Sequence, residues 1–326
     1  MKKLFRSTTA AIAFALTAMV AALPAMAAEK KVAIANLGPH VALNAVIDGF
    51  KNGLEAGGFK EGDNVAFEYK DANFDPAVVA QMITALEATD PDLILTVTTP
   101  ITQASKRVVR NKDLPIVFAP VTDPVDAGLV TSWDKGSDRF VGASNLQSMR
   151  TVLEFGQQLL GDVETVGMLY NPGDANDVVN VRYAQEAADE MGIKLNAVSV
   201  DTTNDIPVRI AALKDSDFIY LIPSSMLQPA MPAVAAAANR ENIPVINASP
   251  AGVADGQVLA SMSVSWFDVG RQAGLRAAQI LEGAKPSELS VFRPAPEDHS
   301  ALISAKRMDA MDMTLPDALS DCDCVQ

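Results

Sequence analysis

Cysteine is nearly absent from this chain. The two in 326 residues, Cys322 and Cys324, sit in the acidic tail Asp321-Cys322-Asp323-Cys324. That excludes a disulfide-stapled core and predicts a frayed tail with at most a local bridge and no function. Histidine is as scarce, and His40 and His299 lie far apart in sequence. No His, Cys or paired-acid constellation emerges at metal-ligand spacing. Neither a Gly-x-Ser-x-Gly elbow, a Gly-x-Gly-x-x-Gly turn nor a Gly-x4-Gly-Lys-Ser/Thr loop occurs. The strongest signatures of serine hydrolases, dinucleotide enzymes and P-loop proteins are therefore missing, and neither cofactor nor metal is expected. Positive charge is also short: 26 Lys and Arg face 40 Asp and Glu, a net −14. A surface that acidic excludes nucleic acid, which needs basic groups to displace counterions, and disfavours an anionic membrane surface.

The uncharged apolar stretch Thr8–Leu23 is too short for a membrane span. Lys2, Lys3 and Arg6 precede it, and Ala25-Met26-Ala27 lies just beyond it. Basic region, apolar core and small-x-small motif together predict an export signal over residues 1–27, cleaved before Ala28. No cysteine stands at that cleavage point, so no lipid anchor is expected there. A soluble periplasmic protein is the predicted product.

From Ala28 onward the chain alternates between two periods. Val-, Ile- and Leu-rich runs at 31–36, 64–69, 92–97 and 114–118 read as strands. Between them lie helical stretches, the first with Ala42, Val46, Phe50 and Leu54 at fourfold spacing. Asp75-Pro76 reads as a helix start. The order repeats with strands at 165–170, 194–200, 217–222 and 244–248 and helices at 174–191, 206–213 and 227–241. Such alternation predicts parallel sheets covered on both faces. The fold class is thus α/β, with two doubly wound parallel-sheet lobes. After both blocks a strand (258–263), a helix (266–282) and an extended return (286–296) remain. They predict three hinge crossovers, near 142–145, 261–265 and 292–296. Lobe one is expected to comprise residues 28–143 plus about 264–291, and lobe two 144–263 plus about 292–326. Several crossovers favour closure about a cleft over free tethering.

Several segments resemble one family. They are Pro39-His40-Val41-Ala42-Leu43, Ile47-Asp48-Gly49-Phe50, Pro91-Asp92-Leu93-Ile94 and, most specifically, Leu114-Pro115-Ile116-Val117-Phe118-Ala119-Pro120-Val121-Thr122-Asp123-Pro124-Val125-Asp126-Ala127-Gly128-Leu129-Val130. Later come Gly167-Met168-Leu169-Tyr170-Asn171-Pro172 with Ala175-Asn176, and Asp268-Val269-Gly270-Arg271-Gln272-Ala273-Gly274. In this order, over nearly the whole mature chain, they are similar to substrate-binding proteins of bacterial ABC importers, of the type associated with tryptophan and tyrosine uptake. The resemblance implies a type I periplasmic binding fold, capture of a small ligand between the lobes, and delivery to ABC permease subunits in the inner membrane. Two departures flank the cleft or hinge. Asp126 stands where the family often has Gly, and Gly136-Ser137-Asp138-Arg139 where it usually has Pro-Gly-Gly-Asn.

Ligands of open parallel sheets bind outside the carboxyl ends of the strands. Applied to both lobes, that rule selects His40, Thr98, Thr99, Thr122 and Asp123 in lobe one. In lobe two it selects Tyr170, Asn171, Asn176, Ser224 and Ser225, with Asp268 from the crossover region. Thr98-Thr99-Pro100 opens a helix, where free N–H groups and two hydroxyls suit a carboxylate; Thr99 as a simple helix cap is the alternative. Asp123 and Asp268 suit an ammonium group, although a turn and a first-turn helix acid would look the same. Tyr170, His40 and Trp266 could wall a flat side chain. Asn171, Asn176, Ser224 and Ser225 suit orienting hydrogen bonds or helix caps.

Binding of a small polar metabolite is the function expected, in a monomer without enzymatic activity. The metabolite is expected to be an amino acid, with an aromatic one as the narrower reading. A periplasmic sensor presenting its closed form to a receptor would use the same pocket. An exported hydrolase lacks its motifs, and an enzyme working with carboxylates alone is left open by the residues.

Overall fold

The computed structural model describes residues 29–326; the expected export signal lies outside them. Lobe one is built on a five-stranded, all-parallel sheet. Its strands are β1 (Lys30–Asn36), β2 (Val65–Asp71), β3 (Leu93–Thr96), β4 (Ile116–Phe118) and β5 (Phe140–Gly142), in spatial order β2-β1-β3-β4-β5. Helices α1 (Val41–Ala56), α2 (Val79–Glu87) and α3 (Thr99–Val108) connect them. β1, β3 and β4 are buried almost throughout, as their unbroken apolar runs require of strands covered on both faces.

The chain then passes through α4 (Met149–Leu160) into a second sheet containing β6 (Thr165–Tyr170), β7 (Lys194–Ser199), β8 (Phe218–Leu221), β9 (Val245–Asn247), β10 (Ala260–Val264) and β11 (His299–Ile303). Their order is β11-β10-β9-β8-β6-β7. All neighbours are parallel except β10 and β11, which are antiparallel. Helices α5 (Ala175–Met191), α6 (Ile206–Ala211) and α7 (Met231–Arg240) cover this sheet; α8 (Trp266–Leu281) and α9 (Ala305–Ala310) complete the chain. The α/β class, the two parallel-sheet lobes and the crossings between them agree with the sequence reading.

Three differences have local causes. Helix α2 begins at Val79, not at Asp75-Pro76, because the Asp75 carboxylate accepts from Ala77 N–H (2.9 Å) and closes a turn instead. Helix α4 has no counterpart in the sequence reading. Its buried positions Met149, Val152, Leu153, Gly156 and Leu159 carry the helical period, and the Ser148 hydroxyl caps it by accepting from Thr151 N–H. The tail is docked, not frayed. Leu319 and Cys324 are buried in the lobe-two core, Ile303 N–H donates to Cys324 O (2.7 Å) and Gln326 N–H to Ile303 O (2.9 Å). Cys322 and Cys324 form a local disulfide there.

Helix α8 comes after β10 of the second sheet yet packs into the core of the first, with Trp266, Val269, Ala273 and Ala277 among that cluster. It runs parallel to α1 with almost no side chain between the two backbones. A Cβ at Gly49 would lie 1.9 Å from Phe267 O and one at Gly53 2.2 Å from Arg271 O; one at Gly270 would lie 1.9 Å from Val46 O and one at Gly274 2.1 Å from Phe50 O. Any side chain at these positions forces the helices apart. Gly53→Val and Gly270→Val are each expected to cost about 2–3 kcal/mol of stability, the upper part of the overpacking range. Urea unfolding checks this, and an unchanged midpoint would show that the helices yield freely.

Candidate functional site

Each sheet reverses its strand order once, at β1/β3 in lobe one and at β6/β8 in lobe two. Such switch points open a crevice at the carboxyl ends of the strands, and the two crevices face each other. Between them lies a cavity lined by residues of both lobes.

Of the residues selected from sequence, His40, Thr98, Thr99, Thr122, Asn176, Ser224 and Ser225 line this cavity. Thr98 and Thr99 open α3. Thr98 holds the unusual dihedrals φ 87°, ψ 154°, and a non-glycine residue there stores about 1–3 kcal/mol of strain. Its Oγ1 is buried without a hydrogen-bond partner. Thr99 Oγ1 accepts from Thr122 N–H at 3.5 Å. His40 caps α1, its Nδ1 accepting from Ala42 N–H (3.3 Å), which leaves Nε2 as the protonated nitrogen. Burial lowers its pKa, partly offset by the backbone of Gln228 across the cleft.

Polar contacts join the lobes at the cavity wall. Thr122 Oγ1 stands 3.2 Å from Asn145 Oδ1, in the first crossover, and against Asn176 Oδ1 of lobe two, so its single proton goes to one amide oxygen at a time. Apart from Gln228, the remaining wall is apolar: Leu37, Leu43, Phe74, Pro120, Pro223, Pro229 and Trp266. Phe74 sits against Gly38, where a Cβ would meet its ring at 2.7 Å. Trp266 Nε1–H donates to Ala248 O (3.2 Å), leaving its ring as wall. Sequence reasoning missed Phe74, Asn145 and Gln228. Asn145 lies in a predicted crossover and Gln228 four residues after Ser224, so proximity to chosen positions was the available signal.

Four selected residues do not line the cavity. The Asp123 carboxylate is occupied by its own turn, accepting from Val125 and Asp126 N–H (both 3.0 Å), and by Tyr183 OH (2.8 Å). Asp268 is exposed in the first turn of α8, behind the Ser265 cap. Tyr170 packs against the lobe-two core. Asn171 closes a turn, its Oδ1 accepting from Gly173 N–H (2.9 Å). The two carboxylates expected to meet an ammonium group therefore face elsewhere. Among the described residues lining the cavity there is no carboxylate, lysine or arginine.

A family model described as ABC transporter substrate binding protein matches residues 31–323. The chain belongs to this family. The chain is 28% identical to a tyrosine-binding protein of Clostridioides difficile (strain R20291) over 286 residues, 87% of this chain and 81% of that one. Among solved structures it superposes on a domain from Streptococcus pneumonia in complex with L-Trp, with TM-score 0.84 and 26% identity over 92% of this chain and 100% of that one. A ligand-free, open substrate-binding protein with adhesive properties from Clostridium difficile gives TM-score 0.70 at 28% identity, over 91% and 99% of the two chains. At similar identity and coverage, the arrangement of this ABC substrate-binding protein is thus nearer the ligand-bound relative than the open one. The family and these neighbours are binding proteins, whose partners are small-molecule ligands and ABC permeases.

Outside the cavity the lobes also meet through charge. Arg182 Nη1 on α5 lies 2.9 Å from Asp126 Oδ1, and its Nη2 3.8 Å from Asp123 Oδ2. Asp126 is the residue standing where the family often has Gly. Arg182 and Asp126 are partly exposed, so the pair is worth about 0.2–1 kcal/mol and weakens with salt. Arg182→Ala is expected to weaken ligand affinity about two- to fivefold at low salt and hardly at all at about 0.5 M NaCl, where screening is strong. Titrations at both ionic strengths test this, and a salt-independent loss would remove the ion pair as cause.

Proposed function

We propose that this ABC substrate-binding protein captures an amino acid with an aromatic or large apolar side chain in the periplasm and delivers it to its membrane permease. The observation that carries this reading is the cavity's mixed lining. Hydroxyls and amides from the strand ends and the α3 N-terminus share it with the rings of Phe74 and Trp266, two leucines and three prolines. The relatives bear on the same point, one being a tyrosine-binding protein and another holding L-Trp.

In this reading the ligand carboxylate meets Thr98 and Thr99 at the start of α3. There the exposed N–H groups and the positive end of the helix dipole favour an anion, and the unpartnered Thr98 hydroxyl gains its acceptor. Asn145 and Asn176 supply amide oxygens for the ammonium group. The apolar wall takes the side chain, with ring-on-ring contacts from Phe74 and Trp266. A ligand touching both lobes binds the closed form better than the open one and shifts the equilibrium toward it. The closed monomer then presents both lobe surfaces to the permease. Residues 28–143 with 264–291, and 144–263 with 292–326, move as the two bodies.

Protein beginning at Ala28, freed of bound ligand by unfolding and refolding, tests this in a thermal-shift panel of amino acids. L-tryptophan and L-tyrosine are expected to raise the melting temperature most, since ligand at about 100 times Kd adds about 2.7 kcal/mol. A panel in which neither does so overturns the aromatic assignment. Thr98→Val keeps shape and strain while removing the hydroxyl. It is expected to weaken binding about 10- to 100-fold, the size of a lost hydrogen bond to a charged group, without lowering the stability of the free protein. Calorimetry paired with unfolding separates the two effects.

A further inference from the structure

Behind the lobe-two wall lies a carboxylate that the cavity lining does not include. Asp177, in the first turn of α5, is completely buried. Its Oδ2 accepts from Asn171 N–H (2.8 Å) and from Ser224 Oγ (2.8 Å), and its Oδ1 from Asn176 Nδ2 (3.2 Å). Two of these partners, Asn176 and Ser224, line the cavity. Asn176 Nδ2 also donates to Pro223 O (2.9 Å), while its Oδ1 receives Thr122 Oγ1 and Asn180 Nδ2 (3.2 Å). Donors on one side and acceptors on the other fix the amide orientation. The carbonyl of Asn176 thus faces lobe one because Asp177 holds its amino group behind.

We infer that Asp177 is a positioning residue that also supplies the negative charge against which a ligand ammonium group binds, so that binding releases a proton from its buried carboxyl. The inference rests on the amino-acid reading of the cavity. An ammonium group in a closed, partly dry site needs an opposite charge nearby, and the lining residues contain none. Asp177 stands one layer behind Asn176 and Ser224, close enough to act through them without touching ligand.

Three hydrogen bonds partly compensate its charge, but no cation faces it in the free protein. Asp174, the α5 cap, accepts from Asn176 N–H (3.0 Å) and adds repulsion. Ser224 and Ser225 from the β8–α7 loop are neutral, as are Thr122 and Asn145 from lobe one. Asp123 is engaged by Tyr183 and Arg182. His40, across the cavity, has its pKa lowered by burial, which favours its neutral form. Burial, then Asp174, pushes the Asp177 carboxyl up to about 8, so near neutrality it is mostly protonated. An arriving cation favours the carboxylate, and the O–H proton leaves to solvent. Lower pH must therefore weaken binding, by up to about tenfold per unit as pH falls from about 8 toward about 6.5.

Calorimetry of L-tryptophan binding at about pH 7, in buffers of different ionisation enthalpy, reads the proton directly. Wild-type protein is expected to release close to one proton per ligand. Asp177→Asn is expected to abolish the release and, at a pH near the carboxyl's own midpoint of about 8, to weaken binding about tenfold or more. Its ligand-free melting temperature at that pH should equal or exceed wild type, because a buried charge that no cation faces is gone. A merely structural role would lower affinity and stability together. Asp174→Asn, which keeps Asp177 and a capping side chain, should shift the midpoint of the pH profile downward. Tight binding with no proton released in wild type, or an unaltered pH profile in Asp177→Asn, overturns the inference while leaving the amino-acid reading intact. Failure of every amino acid to bind at either pH overturns both.

Discussion

The site depends on two helices meeting backbone to backbone. Helices α1 and α8 come from distant parts of the chain, yet Gly49, Gly53, Gly270 and Gly274 let them approach until each helix's carbonyls touch the other's backbone. Contacts of this kind carry little apolar area per residue, but they leave little freedom to slide, because no flexible side chain intervenes. The two helices run parallel, so their N-termini share one end. One begins after His40 and the other with Trp266, and both residues line the cavity. Because α8 arrives directly from β10 of the other lobe, the same contact also anchors a crossover. The crossovers are further tied to one another. Ser144 N–H donates to Phe292 O (2.9 Å), and His299 Nε2 accepts from Ser148 N–H (2.9 Å). A hinge braced in this way permits rotation about a narrow axis and resists shear.

Closure then has to be favourable by a modest margin, and the polar groups across the cleft fit that need. Thr122 with Asn145 and Asn176 is a neutral, buried network, whose net worth is small because water satisfies the same groups in the open form. The charged contact of Arg182 with Asp126 is partly exposed and equally modest. Neither is strong enough to hold the lobes shut irreversibly. One cost of the arrangement without ligand lies at Thr98, whose buried hydroxyl lacks a partner. A ligand group that accepts from it offsets that cost in the closed form alone, which is the condition for a ligand to shift the equilibrium.

Much of this architecture is legible in the sequence, for definable reasons. Strand–helix alternation implies the two lobes, and the rule that ligands sit beyond the carboxyl ends of parallel strands brings His40, Thr98, Thr99, Thr122, Asn176, Ser224 and Ser225 to one cavity. The rule identifies loops, however, and not which side chain of a loop turns inward. Thr122 points into the cavity while Asp123, its neighbour, is captured by its own turn and by Tyr183 from α5. No local pattern announces a partner 60 residues away. Phe74 escapes notice because it lies just past the edge strand β2 and reaches the cavity only by lying over Gly38, with φ 61°. The tail departs from expectation for a related reason. Its acidic composition describes its exposed residues, whereas Leu319 and Cys324 dock it on β11.

The acids at the helix starts show most clearly what local sequence leaves undetermined. Asp268 stands three residues after the Ser265 cap of α8, and Asp177 stands three after the Asp174 cap of α5. In an isolated helix both would be first-turn acids that favour the dipole, each worth a few tenths of a kcal/mol. Only tertiary placement separates them. Asp268 lies on the solvent side of the first α8 turn and remains a surface carboxylate. The α5 start is roofed by the loop after β8, whose Ser224 hydroxyl reaches back to Asp177. Burial there turns a first-turn acid into a charge that the fold holds at a disadvantage until something positive arrives. A cavity lined by neutral groups can in this way favour a zwitterion without exposing a carboxylate that would also attract metal ions or free cations. The selectivity comes from depth: Asp177's field reaches the cavity, but its oxygens, already engaged by Asn171, Ser224 and Asn176, do not.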